Sequence, residues 1–560
     1  MDTGLLRPVV RWSIGCCLLF ACGSAAKSNG SGPMTGSGST GASSTLSGGS
    51  SGSSGTSGSS GGSTASAGSD GGSSGTGFST PDGGFGSSGD GGACTSTSLS
   101  SRIRITEVDV GTAYDYNEVD SNGPALGLTP LAISPIPGGG SRLAFLGSGD
   151  GMVHVVTLDA NDELVAGSAF GLLAYDFQDI YADASGGVLL VSRAALGGSA
   201  ANNNCGNINN LCGPAASYPT TATCQDMYLV RFDGTTETWA TKLTDTTATL
   251  PAYGTSPTSG GNVVFIWSEY AHNGRIAFDG TNYGAYFGAA ITVPNQMCVD
   301  TNSTLATGVN IHQGDRLEIV SGSGVLQTTG GFYFGCSHSG YERLLWDSVA
   351  MRYVPICKND LPVTLADGGS VSGRIALAPN FTTNSIVPVD LFYSDLGSVL
   401  TTGGGGYWAI TSNIRAGQTP NTNGLADVDL VQFDITGTAI ASPNAPPQDI
   451  KLVSDAENDR APHLAAYSSG LMAMAWEEST ATGDLAQNDP NRKMFVQILD
   501  QTTGAPPAGS TTDTAGPLNV AVLGSRYQDF RAYPDGSVAY PAPGTNSTTI
   551  KILRILGCDD

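Results

Sequence analysis

Residues Thr401–Ser412 read TTGGGGYWAITS, a turn of small residues feeding straight into an apolar run. Glycine adopts the left-handed backbone that tight turns demand, and Tyr-Trp-Ala-Ile-Thr suits a strand packed on a pleated surface. The unit recurs as PGGGSRLAFLG from Pro137, ASGGVLLVSR from Ala184, TSGGNVVFIWSE from Thr258, TTGGFYFGCS from Thr328, SSGLMAMAWEE from Ser468 and PDGSVAYPA from Pro534. Measured on Gly140, Gly187, Gly261, Gly331, Gly405, Gly470 and Gly536, the steps are 47, 74, 70, 74, 65 and 66 residues.

A second unit follows the first. It is an alternating strand closing on a bulky residue and an aspartate: VVTLD to Asp159, LVRFD to Asp233, RLLWD to Asp347, LVQFD to Asp434 and VQILD to Asp500, with ILRIL to Leu556 as the last copy. No long segment from Ser100 onward has a helical period, so the reading is all-β. Repeated four-stranded units predict a β-propeller, whose radial repetition leaves only short, protected edges. Seven blades are expected, with six or eight as alternatives, because GRIAFDGTNYGAYFGAA (274–290) reads as a further hairpin. Tandem sandwiches would instead need Greek-key spacing.

A ring of repeats has one seam. SRIRITEV (101–108) is a strand with no hairpin partner beside it, and TIKILRIL (549–556) is the last strand. Their pairing is expected to close the ring. Long insertions at 196–225 and 295–313 supply loops on that frame, where recognition is commonly built.

The N-terminus has a different composition. Arg7 and Arg11 precede a short apolar stretch, about half the length needed to span a bilayer. Leu19-Phe20-Ala21-Cys22 resembles the lipobox of bacterial lipoproteins. That resemblance implies a signal peptide over 1–21, lipidation at Cys22 and, with Gly23 and Ser24 following, transfer to the outer membrane of a Gram-negative cell. Residues 22–93 then form a Gly/Ser-rich tether, with too few apolar side chains to offset the entropy of ordering. The head occupies 94–560.

The formal charge is −24 with only 13% charged residues, a balance that repels nucleic acid. A monomer is expected. Of the 11 cysteines, Cys16 and Cys17 leave with the signal and Cys22 carries lipid, which leaves eight. An even number in an exported chain favours disulfides. Cys94 and Cys558 bracket the head and are expected to pair. Cys205–Cys212, Cys336–Cys357 and Cys224–Cys298 are the remaining pairs chosen from many arrangements. Without C-x-x-C spacing a zinc site is not expected. The acidic turns DANDEL (159–164) and DYNEVDSNG (115–123) lack full calcium-loop spacing; a structural calcium stays open, and no other cofactor is called.

Chemistry-bearing residues concentrate in NIHQGDRLEIV (310–320) and GFYFGCSHSGYERLLWD (331–347). The IHQGD…GCSHS…VPIC series is similar to segments of uncharacterised exported bacterial propellers, a resemblance that carries no known activity. His312, Asp315, Arg316, His338, Tyr341 and Arg343 are the candidate binding rim. Ser337 and His338 are neighbours that a strand would point to opposite sides, so no catalytic residues are named. The favoured function is a surface binding or scaffold module for a protein or glycan; the alternative is an envelope hydrolase or lyase acting on glycans or peptides from the propeller funnel. Convergence of carboxylates from different blades would favour the second.

Overall fold

The computed structural model describes residues 96–114, 131–194, 225–244, 264–265, 274–299, 305–327, 332–333, 341–359, 361–365, 368–378, 385–390, 394–402, 406–414, 425–437, 449–453, 457–481, 492–523 and 528–558; for 264–265, 289–299, 305–314, 332–333 and 449–453 it gives the backbone path alone. The head is a seven-bladed β-propeller. From the axis outward, blade 1 is Leu131–Pro135, Ser141–Leu146, Met152–Leu158 and Phe170–Leu173, and blade 2 is Asp176–Ala182, Gly186–Ala194, Gln225–Asp233 and Thr236–Lys242. Blade 4 is Glu342–Asp347, Arg352–Asn359, Gly373–Leu377 and Ser385–Val389. Blade 5 is Asp395–Thr401, Gly406–Ile414, Ala426–Asp434 and Asp449–Val453, and blade 6 is Asn458–Tyr467, Leu471–Ser479, Lys493–Asp500 and Leu518–Val520.

Blade 3 departs from the pattern. Its inner strand is Arg275–Phe278, followed by Asn282–Val299 and Leu305–Ser321, which stay paired in register out to Val299 and Leu305. They form a ribbon far longer than its neighbours, and the insertion expected at 295–313 falls at its far end. GRIAFDGTNYGAYFGAA is therefore this blade's inner hairpin.

Two of the seven glycine units are consequently misplaced in the sequence reading. Phe332–Tyr333, after Gly331, pairs on the outer side of blade 3, and Val264–Phe265, after Gly261, pairs with Ala290 and Ile291 of the ribbon. The turns that lead into the second strands of blades 3 and 4 are instead at Gly280 (φ +95°) and Met351 (φ +52°). RLLWD is likewise an inner strand, not a third one. Apolar runs after a glycine look alike on paper, whichever strand of a blade they form.

The seam closes as expected. Ile103–Asp109 pairs antiparallel with Thr549–Ile555 over its whole length, from Ile103↔Ile555 to Asp109↔Thr549. The N-terminal strand is thus the outer strand of blade 7, whose other strands are Arg531–Ala532, Val538–Pro543 and Thr549–Ile555. Between every two adjacent blades lies a hydrophobic cluster. Examples are Phe145, Leu189 and Val230 between blades 1 and 2, Tyr407 and Ile356 between blades 4 and 5, and Val108, Leu131 and Ile552 where blade 7 meets blade 1. Leu99, on the short helix Leu99–Arg102, is fully buried in the cluster between blades 6 and 7.

Strand direction defines two faces. Inner strands begin on the upper face, where the ribbon and the strand ends flanking 195–224, 243–274 and 360–372 also lie. The lower face carries the turns between inner and second strands. Close approach between blades constrains sequence: a Cβ on Gly397 of blade 5 would lie 2.4 Å from the Pro462 carbonyl oxygen of blade 6. Gly397→Ala is expected to destabilise the head by about 1–3 kcal/mol, measured as a shift in denaturation midpoint.

Only Cys357 and Cys558 of the eight head cysteines have described side chains. The pairings expected with Cys94, Cys205, Cys212, Cys224, Cys298 and Cys336 lie outside the described residues, as does the acidic turn 115–123. Cys22 and the tether lie outside them too. Among the described residues no helix is long and apolar enough to cross a membrane.

Candidate functional site

The first residues of the inner strands meet around the axis on the upper face, and an unusual share of them is charged. Asp179, Arg275, Glu342, Arg343, Asp395 and Arg460 are all at most 3% exposed. Arg460 pairs with Asp395 of the neighbouring blade, but the other ion pairs join blades that are not neighbours. Asp529, just before the inner strand of blade 7, accepts from Arg275 Nε of blade 3 at 2.5 Å and from Ser398 Oγ of blade 5 at 2.9 Å, and Arg343 Nε of blade 4 stands 3.5 Å away. Blades 3 and 4 are opposite blade 7 in a ring of seven, so this carboxylate ties the two sides together across the axis. Arg531 pairs in turn with Asp179 of blade 2, whose other oxygen accepts the Ile276 amide at 2.8 Å.

The electrostatics follow from burial. Desolvation works against ionising Asp529, but the charges of Arg275 and Arg343, with Arg531, outweigh it and hold the carboxyl well below its ordinary range. Arg343 is pushed down to about 10 by its own burial and by the Arg275 charge; its guanidinium donates to the carbonyls of Gly397, Leu396 and Glu342, each at 3.0 Å. Asp395 accepts from Tyr341 Oη at 2.7 Å and Arg460 Nε at 3.0 Å. His463 stacks on Phe530, and its burial pushes it down to about 3, so the ring is neutral at physiological pH.

Glu342 is different. It is the first residue of blade 4's inner strand and fully buried, and neither carboxyl oxygen has a hydrogen-bond partner. Burial, reinforced by the Asp315 charge of blade 3, raises it to about 8 against the pull of Arg343 and Arg275. It is therefore a protonated acid at neutral pH. Asp315 itself contacts Tyr286 Oη. A cavity of about 50 Å³ lies beside the Asp529 ion pairs, lined among others by Arg343, Ser398, Asp529 and Arg531; Glu342 does not line it.

The expected rim is thus only partly a site, and it is not an exposed rim. Asp315, Arg316, Tyr341 and Arg343 are at most 3% exposed. Arg316 turns to Glu318 on its own strand at 2.5 Å, while Tyr341 and Arg343 belong to the axial cluster. Such residues read as surface polar groups when their partners, far away in sequence, are unknown. The side chains of His312 and His338 lie outside the described residues. His154 is a packed residue, stacked on Phe145 and bonded to Asp150 Oδ2 at 2.6 Å.

Asp179, Asp395, Asp529, Arg275, Arg460 and Arg531 escaped the sequence reading. One signal could have found several of them. GRIAF, YERLL, NDRAP and DFRAY each put an arginine at the head of an inner strand, at 275, 343, 460 and 531. Among the described residues no cluster of three metal-ligating side chains occurs.

No family model matches the chain, and no curated protein matches it. Among solved structures, the chain is similar to an alpha-L-arabinanase of Penicillium chrysogenum complexed with arabinobiose (9% identity, 81% of this chain and 98% of that one, TM-score 0.33). It is also similar to an oligogalacturonate lyase in complex with manganese (12%, 74% and 86%, TM-score 0.32) and to a protein of unknown function from Dyadobacter fermentans (12%, 81% and 99%, TM-score 0.31). Likenesses this distant assign no chemistry.

Proposed function

We propose that the head is an envelope enzyme that cleaves a glycan or peptide at the axial site, with Glu342 as its proton donor. The observation that carries this reading is one buried, unbonded carboxyl kept protonated to about pH 8, beside the Asp315 carboxylate of blade 3. A general acid needs its proton at working pH and a leaving group to give it to; Glu342 meets the first requirement through burial. The test is turnover of a panel of polysaccharides and peptides by wild type and Glu342→Gln. Loss of cleavage with retained folding supports the reading; unchanged cleavage overturns it.

A second reading, the binding or scaffold module, draws on the long ribbon of blade 3 on the upper face and on the length of the insertion at 196–225 in the sequence. It predicts that Glu342→Gln binds its ligand as tightly as wild type does and that neither protein turns it over.

In either case we place the chain on the outer membrane of a Gram-negative cell, lipidated at Cys22 and held by the 22–93 tether. The Cys94–Cys558 bridge belongs to the same proposal. It is supported by the Leu556 amide donating to the Arg102 carbonyl at 2.8 Å, which brings the chain ends together. Closing so long a loop contributes about 4–5 kcal/mol at most. Cys558→Ser and Cys94→Ser are expected to lower the melting temperature equally, and the double variant no further; additive losses would show that the two are not partners.

A further inference from the structure

We propose that the lower face of the propeller rests on the bilayer to which the chain is tethered, with the turn 348–351 of blade 4 dipping into the headgroup layer. The membrane in this proposal comes from the lipid-anchor reading above.

Exposed apolar side chains are unevenly placed. Ten large ones are exposed among the described residues, and seven lie at lower-face turns or strand ends: Leu164 and Val165 in blade 1, Val325 and Leu326 in blade 3, Val349 and Met351 in blade 4, and Ile435 in blade 5. Scattered single exposed residues carry no meaning, so the weight falls on the turn of blade 4, where two large ones stand together with Ile435 of blade 5 beside them.

Blade 4 supplies the sharpest feature. The corresponding turns of the other blades use small or polar residues, as in Gly138–Gly140, Asp183–Gly186 and Asp535–Gly536. Here Val349 is 82% and Met351 70% exposed. Met351 also holds φ +52°, a region where a side chain is strained and glycine is not. Ile435 is its neighbour, since its carbonyl accepts from Arg352 Nη1 at 3.4 Å.

The occupant follows from where the chain enters. Ile103 pairs with Ile555, the lower end of its strand, so the chain enters blade 7 from this same face, with the 72-residue sequence 22–93 preceding it. Gly/Ser sequences act as flexible tethers, and tethering to a surface gives an effective concentration on the order of millimolar. A contact too weak to hold a free protein therefore orients a tethered one. Carboxylates on the lower turns, among them Asp183, Asp233 and Asp535, and a chain charge of −24 select a zwitterionic surface over an anionic one. The axial cluster, on the upper face, then points away from the membrane.

The test uses the full mature chain with a hexahistidine tag in place of Cys22, held on phosphatidylcholine vesicles by a nickel-chelating lipid. A fluorescent NBD group is attached through an unnatural residue at position 349, or at position 546 on the upper face. Shallow spin-labelled lipid is expected to quench the 349 probe at least two-fold more than the 546 probe, and Met351→Asp is expected to remove the difference. Equal quenching at both positions overturns the proposal. So does a blue shift at 349 that grows with protein concentration in lipid-free solution, since it assigns the face to a second copy. Flotation of the native chain against Cys22→Ser tests the anchor separately; because the nickel lipid supplies the tether, failure of the anchor does not change the quenching result.

Discussion

Asp162→Ala is expected to cost the head about 3–5 kcal/mol, the range for breaking a buried ion pair by removing one partner. Asp162 is fully buried on the connection between the third and outer strands of blade 1, at φ +64°. Its carboxylate accepts from Arg554 Nη2 at 2.5 Å and Nε at 2.8 Å, and from Arg104 Nη2 at 2.7 Å. Those arginines stand on the two strands that close blade 7, Thr549–Ile555 and Ile103–Asp109. One side chain therefore clamps three segments at the seam.

Alanine leaves the Arg554 guanidinium, 4% exposed, without its counter-charge and strains a left-handed position. Asp162→Asn keeps the shape and tolerates that backbone, so it is expected to cost clearly less. Chemical denaturation of both variants checks this. A loss below about 1 kcal/mol for Asp162→Ala would show that the clamp contributes nothing net. A double-mutant cycle with Arg104→Met separates the two arginines.

Glu342→Gln is expected to lower kcat by about 100- to 10,000-fold, the range for a lost general acid. It also has a stability signature independent of any substrate. The folded carboxyl titrates at about 8 and a free one at 4.5, so between these values the folded protein holds a proton that the unfolded chain has released. Stability contributed by this group therefore falls as pH rises from about 4.5 to 8 and is level above, with a total change on the order of a few kcal/mol. Glutamine cannot ionise and removes that slope, so the variant is expected to gain on wild type toward alkaline pH. Parallel denaturation series from pH 5 to 9 read this directly. Identical slopes for the two proteins would mean that Glu342 is ionised in the fold. Catalysis by wild type is expected to decline as pH rises through about 8, when the acid loses its proton.

The blade architecture could be read from residue order because it is local. A glycine or aspartate turn followed by Val, Ile, Tyr and Trp specifies a hairpin within a few residues, and its recurrence from Gly140 to Gly536 implies radial packing. The lone strand at 101–108 already pointed to the closing seam. The same local signal failed at Gly261 and Gly331, where insertion and outer-strand segments carry turn chemistry but occupy no inner hairpin.

The axial site and the seam clamp were beyond the sequence for a different reason. Asp529 meets Arg275 across 254 residues of chain, and Asp162 meets Arg554 across 392. Nothing near Glu342 in the chain says that it will be sealed from water. Charge pairing and protonation depend on distance and desolvation, and both exist only once seven blades have closed the ring. Order along the chain determined the strands, their repeat and their closure; which acids are paired, and which one keeps its proton, was decided when the ring brought opposite blades together in a dry centre.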